Sequence, residues 1–286
     1  MRKTKKIPIA FPKLKIGIIG FGNIASGLAG GMVKKKLALP SQFMVYDIHH
    51  VRNDIAKNKF KFRVAKNYKD LCQNSELILL AVKPQNTSEC LRRLKGLIKQ
   101  HHLIISTITG VRTKDYQRVL GSKTRVIRTM PNTPVLIALG ATVYFANKNC
   151  SDHDKHICER IFKSLGIIFE TKKEIMLNAV TAISGSGPAF VYTYAHSVIE
   201  SAVKLGLPRP LATELVYQTL IGATRMMSQM PIPVEDLIKQ VTSKKGTTLA
   251  GLRVLHRKNF AKVIHSCMSA ATRRAKQLSK VPVNNH

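Results

Sequence analysis

The sequence predicts an α/β protein: an N-terminal doubly wound parallel sheet followed by an all-helical C-terminal domain. Three observations predict it. Short apolar runs alternate with helical segments up to about residue 170, the pattern of βαβ units. The first of those runs leads straight into a glycine-rich turn. Beyond Lys172 the strand-like runs stop and long helical patterns take over. The expected domains are 1–172, carrying a basic tail, and 173–286.

Met1–Lys13 holds five basic residues and no acid, and reads as a loose tail. It lacks the apolar core of a signal peptide and the Ser/Arg-rich character of a transit peptide. Leu14–Ile19 is a short strand, and Gly20-Phe21-Gly22-Asn23-Ile24-Ala25 follows it, with a helical pattern to about Lys36. This is G-x-G-x-x-A between strand and helix, the turn of a Rossmann-like domain. Gly20 makes the tight turn, Gly22 admits a pyrophosphate, and Ala25 permits close helix packing. The strand Phe43–Asp47 places an acid 25 residues after Gly22. An acid there bonds the adenine ribose hydroxyls and favours NAD. His49, His50 and Arg52 follow and could hold a 2′-phosphate instead, so NADH and NADPH both stay open.

Glu76–Val82 is a continuous apolar run ending in Lys83-Pro84, and Leu103–Thr109 is the next strand. Arg125–Arg128, Ala141–Phe145 and Ile167–Glu170 complete the sheet, the first two joined through Met130-Pro-Asn-Thr-Pro134. Cys150, His153, His156 and Cys158 lie close together, but Ser151 reads as an N-cap. Cys150 then lies outside the helix and Cys158 points elsewhere, so no metal site is expected.

Thr181-Ala-Ile-Ser184-Gly185-Ser186-Gly187-Pro188 precedes an apolar helical pattern to Leu205. Serine and glycine before proline predict a helix start with exposed backbone N–H groups, an anion site. Pro210–Gln229, Val234–Val241, Leu249–His256 and Asn259–Lys280 read as further helices, with Thr242–Thr248 as a polar loop. Loops this short imply antiparallel packed helices, and their apolar faces imply burial against a second subunit.

Net charge is +32, spread along the chain: +22 through residue 174 and +10 after it. No zinc-finger spacing, RNP-like aromatic motif or heptad-linked basic region accompanies it, so specific nucleic-acid binding is not expected. The charge raises the local concentration of anionic ligands. No apolar run approaches the ~20 residues of a bilayer span, so no membrane is expected. Five cysteines without a C-x-x-C pair fit free thiols in the cytoplasm.

Several blocks together resemble the pyrroline-5-carboxylate reductase family from Lys15 to about Ser279. They are IGIIGFGNIA (16–25), AVKP (81–84), RTMPNTP (128–134), GATVYFAN (140–147), AVTAISGSGPAF (179–190), QTLIGA (218–223) and GTT (246–248). The resemblance implies NAD(P)H-dependent reduction of 1-pyrroline-5-carboxylate to L-proline, the last step of proline synthesis. It implies that Ile19 to Ala25, Asp47, Asn67, Ala81, Val82, Lys83, Pro84, Thr107 and Asn132 line the cofactor. Ser184, Gly185, Ser186 and Gly187 would receive the substrate carboxylate. Gly246 and Thr247 would close on the ring, and Thr248 would hydrogen-bond its nitrogen. It further implies a homodimer, or a larger ring of dimers.

The sequence departs from that family's pattern in three places. Ser243-Lys244-Lys245-Gly246 replaces the usual S-P-G-G, His196 replaces a common acid, and Asn178 stands where aspartate is usual. Three rival readings are a reductase of another cyclic imine, a β-hydroxyacid dehydrogenase, and a non-catalytic polyanion-binding paralogue. Met176–Val203 contains no lysine, which removes the general acid/base that the hydroxyacid reading needs.

Overall fold

The structure, a computed structural model, describes residues 11 and 13–279. The basic tail read over 1–13 lies outside the described residues, apart from Phe11 and Lys13. Phe11 is not loose: its N–H donates to Leu37 O at 2.9 Å, and the Arg160 guanidinium lies 5.1 Å from its ring centroid.

Eight strands form one sheet: β1 Ile16–Ile19, β2 Phe43–Tyr46, β3 Arg63–Val64, β4 Leu77–Leu80, β5 Leu103–Ser106, β6 Arg125–Met130, β7 Gly140–Ala146 and β8 Gly166–Glu170. Their order is β3-β2-β1-β4-β5-β6-β7-β8. Six helices flank them: α1 Asn23–Lys34, α2 His50–Asn58, α3 Tyr68–Gln73, α4 Thr87–Leu94, α5 Thr113–Leu120 and α6 Asp152–Lys163.

Strand alternation sends Ile16, Ile18, Leu77, Leu79 and Ile105 into one core, with Leu28 of α1 and Phe162 of α6. The opposite face carries Ile19, Ile78, Leu80 and Ile104 into a second core, with Leu71, Leu91 and Tyr116. A sheet covered on both faces explains why these strands read as unbroken apolar runs.

Two features differ from the expected parallel sheet. The two-residue β3 extends the edge beyond β2, too short to leave a period in the sequence. β7 runs antiparallel to β6, with Met130 opposite Val143. The connection through residues 131–139 holds only a short 3-10 turn, Thr133–Ile137. A parallel crossover needs a dozen or more residues, so this connection can only return the chain.

The described residues fold as two compact units, those through Ser186 together with 271–279, and 187–270. The second unit contains α8 Gly187–Lys204, α9 Arg209–Gln229, α10 Val234–Gln240, α11 Thr247–Arg257 and most of α12 Phe260–Leu278. α8 and α9 build a core between them, from Ala195, Ile199, Ala212 and Val216. Arg209 clamps Glu200 with two hydrogen bonds, at 2.6 and 3.0 Å. α10 and α11 bury no residue within the single chain, which leaves their apolar faces for the second subunit that the sequence implied. Among the described residues one helical stretch, Glu174–Lys204, is long and apolar enough by length and composition to cross a membrane.

Candidate active site

β1 ends beside β2 and β4, and the chain must leave the sheet between them. Gly20 does so at φ +86°, where a side chain is strained. A Cβ there would lie 2.8 Å from the carbonyl carbon of Ala81, so the turn is pressed against the end of β4. Gly20 N–H donates to Tyr46 O, and Ala81 N–H to Ile19 O, each at 2.9 Å. Ala25 is fully buried, as its place in the motif requires. Gly22 caps α1 with no side-chain partner, and only Arg52 Nη1, at 3.5 Å, approaches its missing Cβ. Asn23 is exposed and Ile24 half-buried at the helix start. Free helix N–H groups beside an open glycine fit a pyrophosphate.

A cleft of roughly 250 Å³ adjoins this turn, lined by Asp47, Arg52, Tyr46, Tyr68, Val82 and Lys83 among others. Asp47 faces it differently from the ribose ligand expected. Its Oδ2 accepts Phe21 N–H at 2.7 Å and its Oδ1 accepts His49 N–H at 2.9 Å. Arg52 Nη1 reaches Oδ2 at 3.4 Å, and the carboxylate side chain is only 3% exposed. The acid ties the glycine turn to the β2 end. Asn67 is likewise engaged: its Oδ1 caps α3 by accepting Asp70 N–H at 2.9 Å, and it is the next residue, Tyr68, that lines the cleft. Tyr46 and Tyr68 stand with ring centroids 4.9 Å apart, an aromatic pair the motif reading missed.

Further along the same sheet edge, Pro84 opens a 3-10 turn after Lys83. Thr107 holds Leu80 O with its N–H at 2.9 Å and its hydroxyl at 3.3 Å. Asn132 Oδ1 accepts Ala141 N–H at 2.9 Å, which ties the MPNTP turn to β7.

The Ser184–Gly187 segment leads into α8, which begins at Gly187, but helical structure already precedes it. Helical structure begins at Glu174, passes through α7 Leu177–Val180, and widens into a π turn over Thr181–Gly185. Ser186 N–H donates five residues back to Thr181 O at 2.8 Å, and Ser184 Oγ donates to Val180 O at 3.2 Å. Pro188 follows as the second residue of α8, a first-turn position where its missing N–H leaves no bond unmade. The turn lies close to the MPNTP segment: a Cβ on Gly185 would sit 2.5 Å from Met130 Cε, whereas none lies within 4 Å at Gly187.

Glu174 anchors this stretch. It accepts Thr113 N–H and Oγ1–H, and Arg128 Nη1 at 3.3 Å. The clue in the sequence was Arg128 itself, a cation inside a buried strand that must find a partner. Asn178, 2% exposed, meets Ser279 Oγ at 3.0 Å.

Thr247 and Thr248 do not lie in a loop. They are the first two residues of α11, capped by Gly246 in extended conformation. Gly246 N–H closes a turn onto Ser243 O at 3.1 Å. Lys245 sits at φ +63°, the left-handed region, where the family pattern has glycine. Gly246–Thr248 is thus a second glycine-led helix start besides that of α8 at Gly187.

Among the described residues no group of three or more His, Cys, Asp or Glu is placed to hold a metal. Ser151 caps α6, with Asp154 completing the capping box. All five cysteines are free, and burial pushes the thiols of Cys72, Cys90 and Cys150 up to about 12.

Residues 15–110 match the family described as NADP oxidoreductase coenzyme F420-dependent, and 174–278 match pyrroline-5-carboxylate reductase dimerisation. The chain is 32% identical to a pyrroline-5-carboxylate reductase of Glycine max, over 95% of this chain and 98% of that one. It belongs to the pyrroline-5-carboxylate reductase family. A reductase of that family from Synechocystis is 33% identical over 93% of this chain and 99% of its own. The pyrroline carboxylate reductase of Plasmodium falciparum, solved with NADP bound, superposes with a TM-score of 0.86 at 31% identity, covering 94% of this chain and 99% of that one. A prephenate dehydrogenase from A. aeolicus, at 10% identity and a TM-score of 0.53, shares the fold alone. The apolar 174–204 stretch falls within the pyrroline-5-carboxylate reductase dimerisation match.

Proposed function

We propose that the chain reduces 1-pyrroline-5-carboxylate to L-proline with NAD(P)H. The single observation that carries this reading is the similarity over more than nine-tenths of both chains, spanning the glycine turn and the helical domain together. The nicotinamide, when bound, supplies a hydride. What the protein contributes is position.

The residues suit that task. Gly20, Gly22 and the free start of α1 take the pyrophosphate, with Ala81 to Pro84, Thr107 and Asn132 along the same sheet edge. Ser184 and the Gly185–Gly187 backbone are the proposed seat of the substrate carboxylate. The π turn supports this, because such turns leave main-chain groups outside the regular ladder and occur often at functional sites. Gly246 and Thr247 shape the ring site, and the Thr248 hydroxyl meets the ring nitrogen.

The substrate's protonated imine is already an electrophile, and hydride addition to its carbon cancels the charge on nitrogen. No oxyanion arises, so no oxyanion hole is needed. The absence of a catalytic lysine from Met176–Val203 is consistent with this chemistry.

We further propose a homodimer formed through the helical domain, working in the cytoplasm. The uncovered apolar faces of that domain support the first, and five free thiols the second.

The test is oxidation of NADH and of NADPH by purified full-length protein with 1-pyrroline-5-carboxylate. Turnover with at least one is expected. Thr248→Ala should lose roughly tenfold to a hundredfold in kcat/KM, the worth of one hydrogen bond to a charged group. Thr248→Ser should keep most of it. No turnover with either cofactor overturns the reading, and an unaffected Thr248→Ala removes Thr248 from it.

A further inference from the structure

The sequence leaves two signals in conflict at the β2 end: Asp47, which favours an unphosphorylated ribose, and Arg52, which favours a phosphorylated one. The geometry separates them. A carboxylate that reads ribose hydroxyls must present free lone pairs to the ligand. Asp47 presents none of its face: Oδ2 receives Phe21 N–H, Oδ1 receives His49 N–H, and the side chain is 3% exposed. Its own N–H is held by Asn53 Oδ1 at 2.9 Å, and Asn53 Nδ2 donates back to Asp47 O at 2.8 Å, so the acid is fixed in this orientation. Turning it outward would release two backbone donors, each costing about 1–3 kcal/mol if left buried without a partner.

Arg52 is the reverse case. Its side chain is 36% exposed, and among the described residues Asp47 is its one ion-pair partner. It lies over the glycine turn, with Nη1 at 3.5 Å from the position a Gly22 Cβ would take. One guanidinium nitrogen meets the buried carboxylate, no other partner engages the group among the described residues, and the side chain lines the cleft. His49 and Lys83 line the same cleft, and neither has an acidic partner among the described residues. Another acid that lines it, Glu89, is neutralised by Arg92 and by Arg93 at 2.6 Å. A planar guanidinium with free donors suits a phosphate monoester, and cations around it add to the attraction.

We propose that Arg52 sets cofactor choice and that this cleft takes a 2′-phosphorylated adenosine, so that NADPH is preferred to NADH. Asp47 acts as a brace for the glycine turn and not as a ribose ligand. This rests on the reductase reading, and it deepens it by naming the cofactor.

The experiment is calorimetric titration of full-length wild type with NADPH and with NADH, and separately with adenosine 2′,5′-bisphosphate and 5′-AMP. The wild type should bind NADPH at least tenfold more tightly than NADH, and the bisphosphate more tightly than AMP. Arg52→Ala should weaken NADPH by roughly tenfold to a hundredfold, the worth of one charge-assisted hydrogen-bonded pair, and weaken NADH far less. Wild-type protein binding NADH as tightly as NADPH would overturn the proposal while leaving the reductase reading intact. So would equal losses for both cofactors in Arg52→Ala. If neither cofactor binds, the reductase reading and this proposal fall together. The adenosine pair is read on wild type alone, so poor folding of the variant cannot rescue the idea.

Discussion

Glu174 accepts both the backbone N–H and the side-chain hydroxyl of Thr113, at 2.8 and 3.0 Å. It stands at the head of the helical stretch that carries Ser184, and Thr113 opens α5 on the sheet domain. Arg128, only 3% exposed, shares the same carboxylate. Glu174→Ala strips Thr113 of its acceptor and leaves a buried guanidinium uncompensated. The expected loss is about 3 kcal/mol by urea unfolding. Glu174→Gln, which still accepts from Thr113, should lose less. Equal losses would show that the cost lies wholly in the uncompensated charge on Arg128 and that the bonds to Thr113 matter little.

Gly20→Ala adds a Cβ at positive φ, 2.8 Å from the Ala81 backbone. Neither the turn nor the strand end can yield cheaply, so about 2 kcal/mol of stability should go. Cofactor affinity should fall with it, because the displaced turn is the proposed pyrophosphate seat. A variant that loses stability and keeps full cofactor affinity would place the pyrophosphate elsewhere.

Lys245→Gly removes a side chain from the left-handed region just before the α11 cap. The expected gain is about 1 kcal/mol locally, visible as slower hydrogen exchange at Gly246 to Thr248. Unchanged exchange at those amides would mean that the lysine carries no strain.

His102 supplies a pH dependence. Its Nδ1 accepts Lys99 N–H at 2.8 Å and its Nε2 bonds Cys72 O at 3.0 Å. Burial disfavours the imidazolium, so its folded pKa lies below the ordinary 6.5. The unfolded chain therefore binds the proton more readily. This contribution is fully present above about pH 6.5 and is lost as pH falls through the folded value. Urea unfolding between pH 7 and 5 should show a drop that His102→Gln largely lacks. A parallel decline in both proteins would assign it to other groups.

Much of this architecture was legible because buried parallel strands leave unbroken apolar runs, and because Gly20 to Ala25 combine a motif with its required context. Three features were not. β3 has two residues and no period to detect. The reversal into β7 was implicit in the length of 131–139, too short for a helical crossover, but a strand's own composition carries no direction. Ser-Gly-Ser-Gly-Pro reads locally as a helix start, and α8 does begin at Gly187, but the helix and π turn over Leu177 to Gly185 just before it left no local signal. At the cofactor cleft, residue types placed Asp47 and Arg52 together. Only the folded geometry shows which of them keeps free hydrogen-bonding capacity.

The helical domain presents Val191, Tyr192, Leu215, Ile221 and Phe260 to solvent in the single chain, each more than 40% exposed. A chain so built has no fixed melting point of its own. Its thermal midpoint should climb with protein concentration, since each tenfold increase favours the associated state by about 1.4 kcal/mol. Dilution then acts as a denaturant. A copy crippled at its glycine turn but intact in these helices would still pair with sound copies, so a defect in one subunit would be inherited by the assembly.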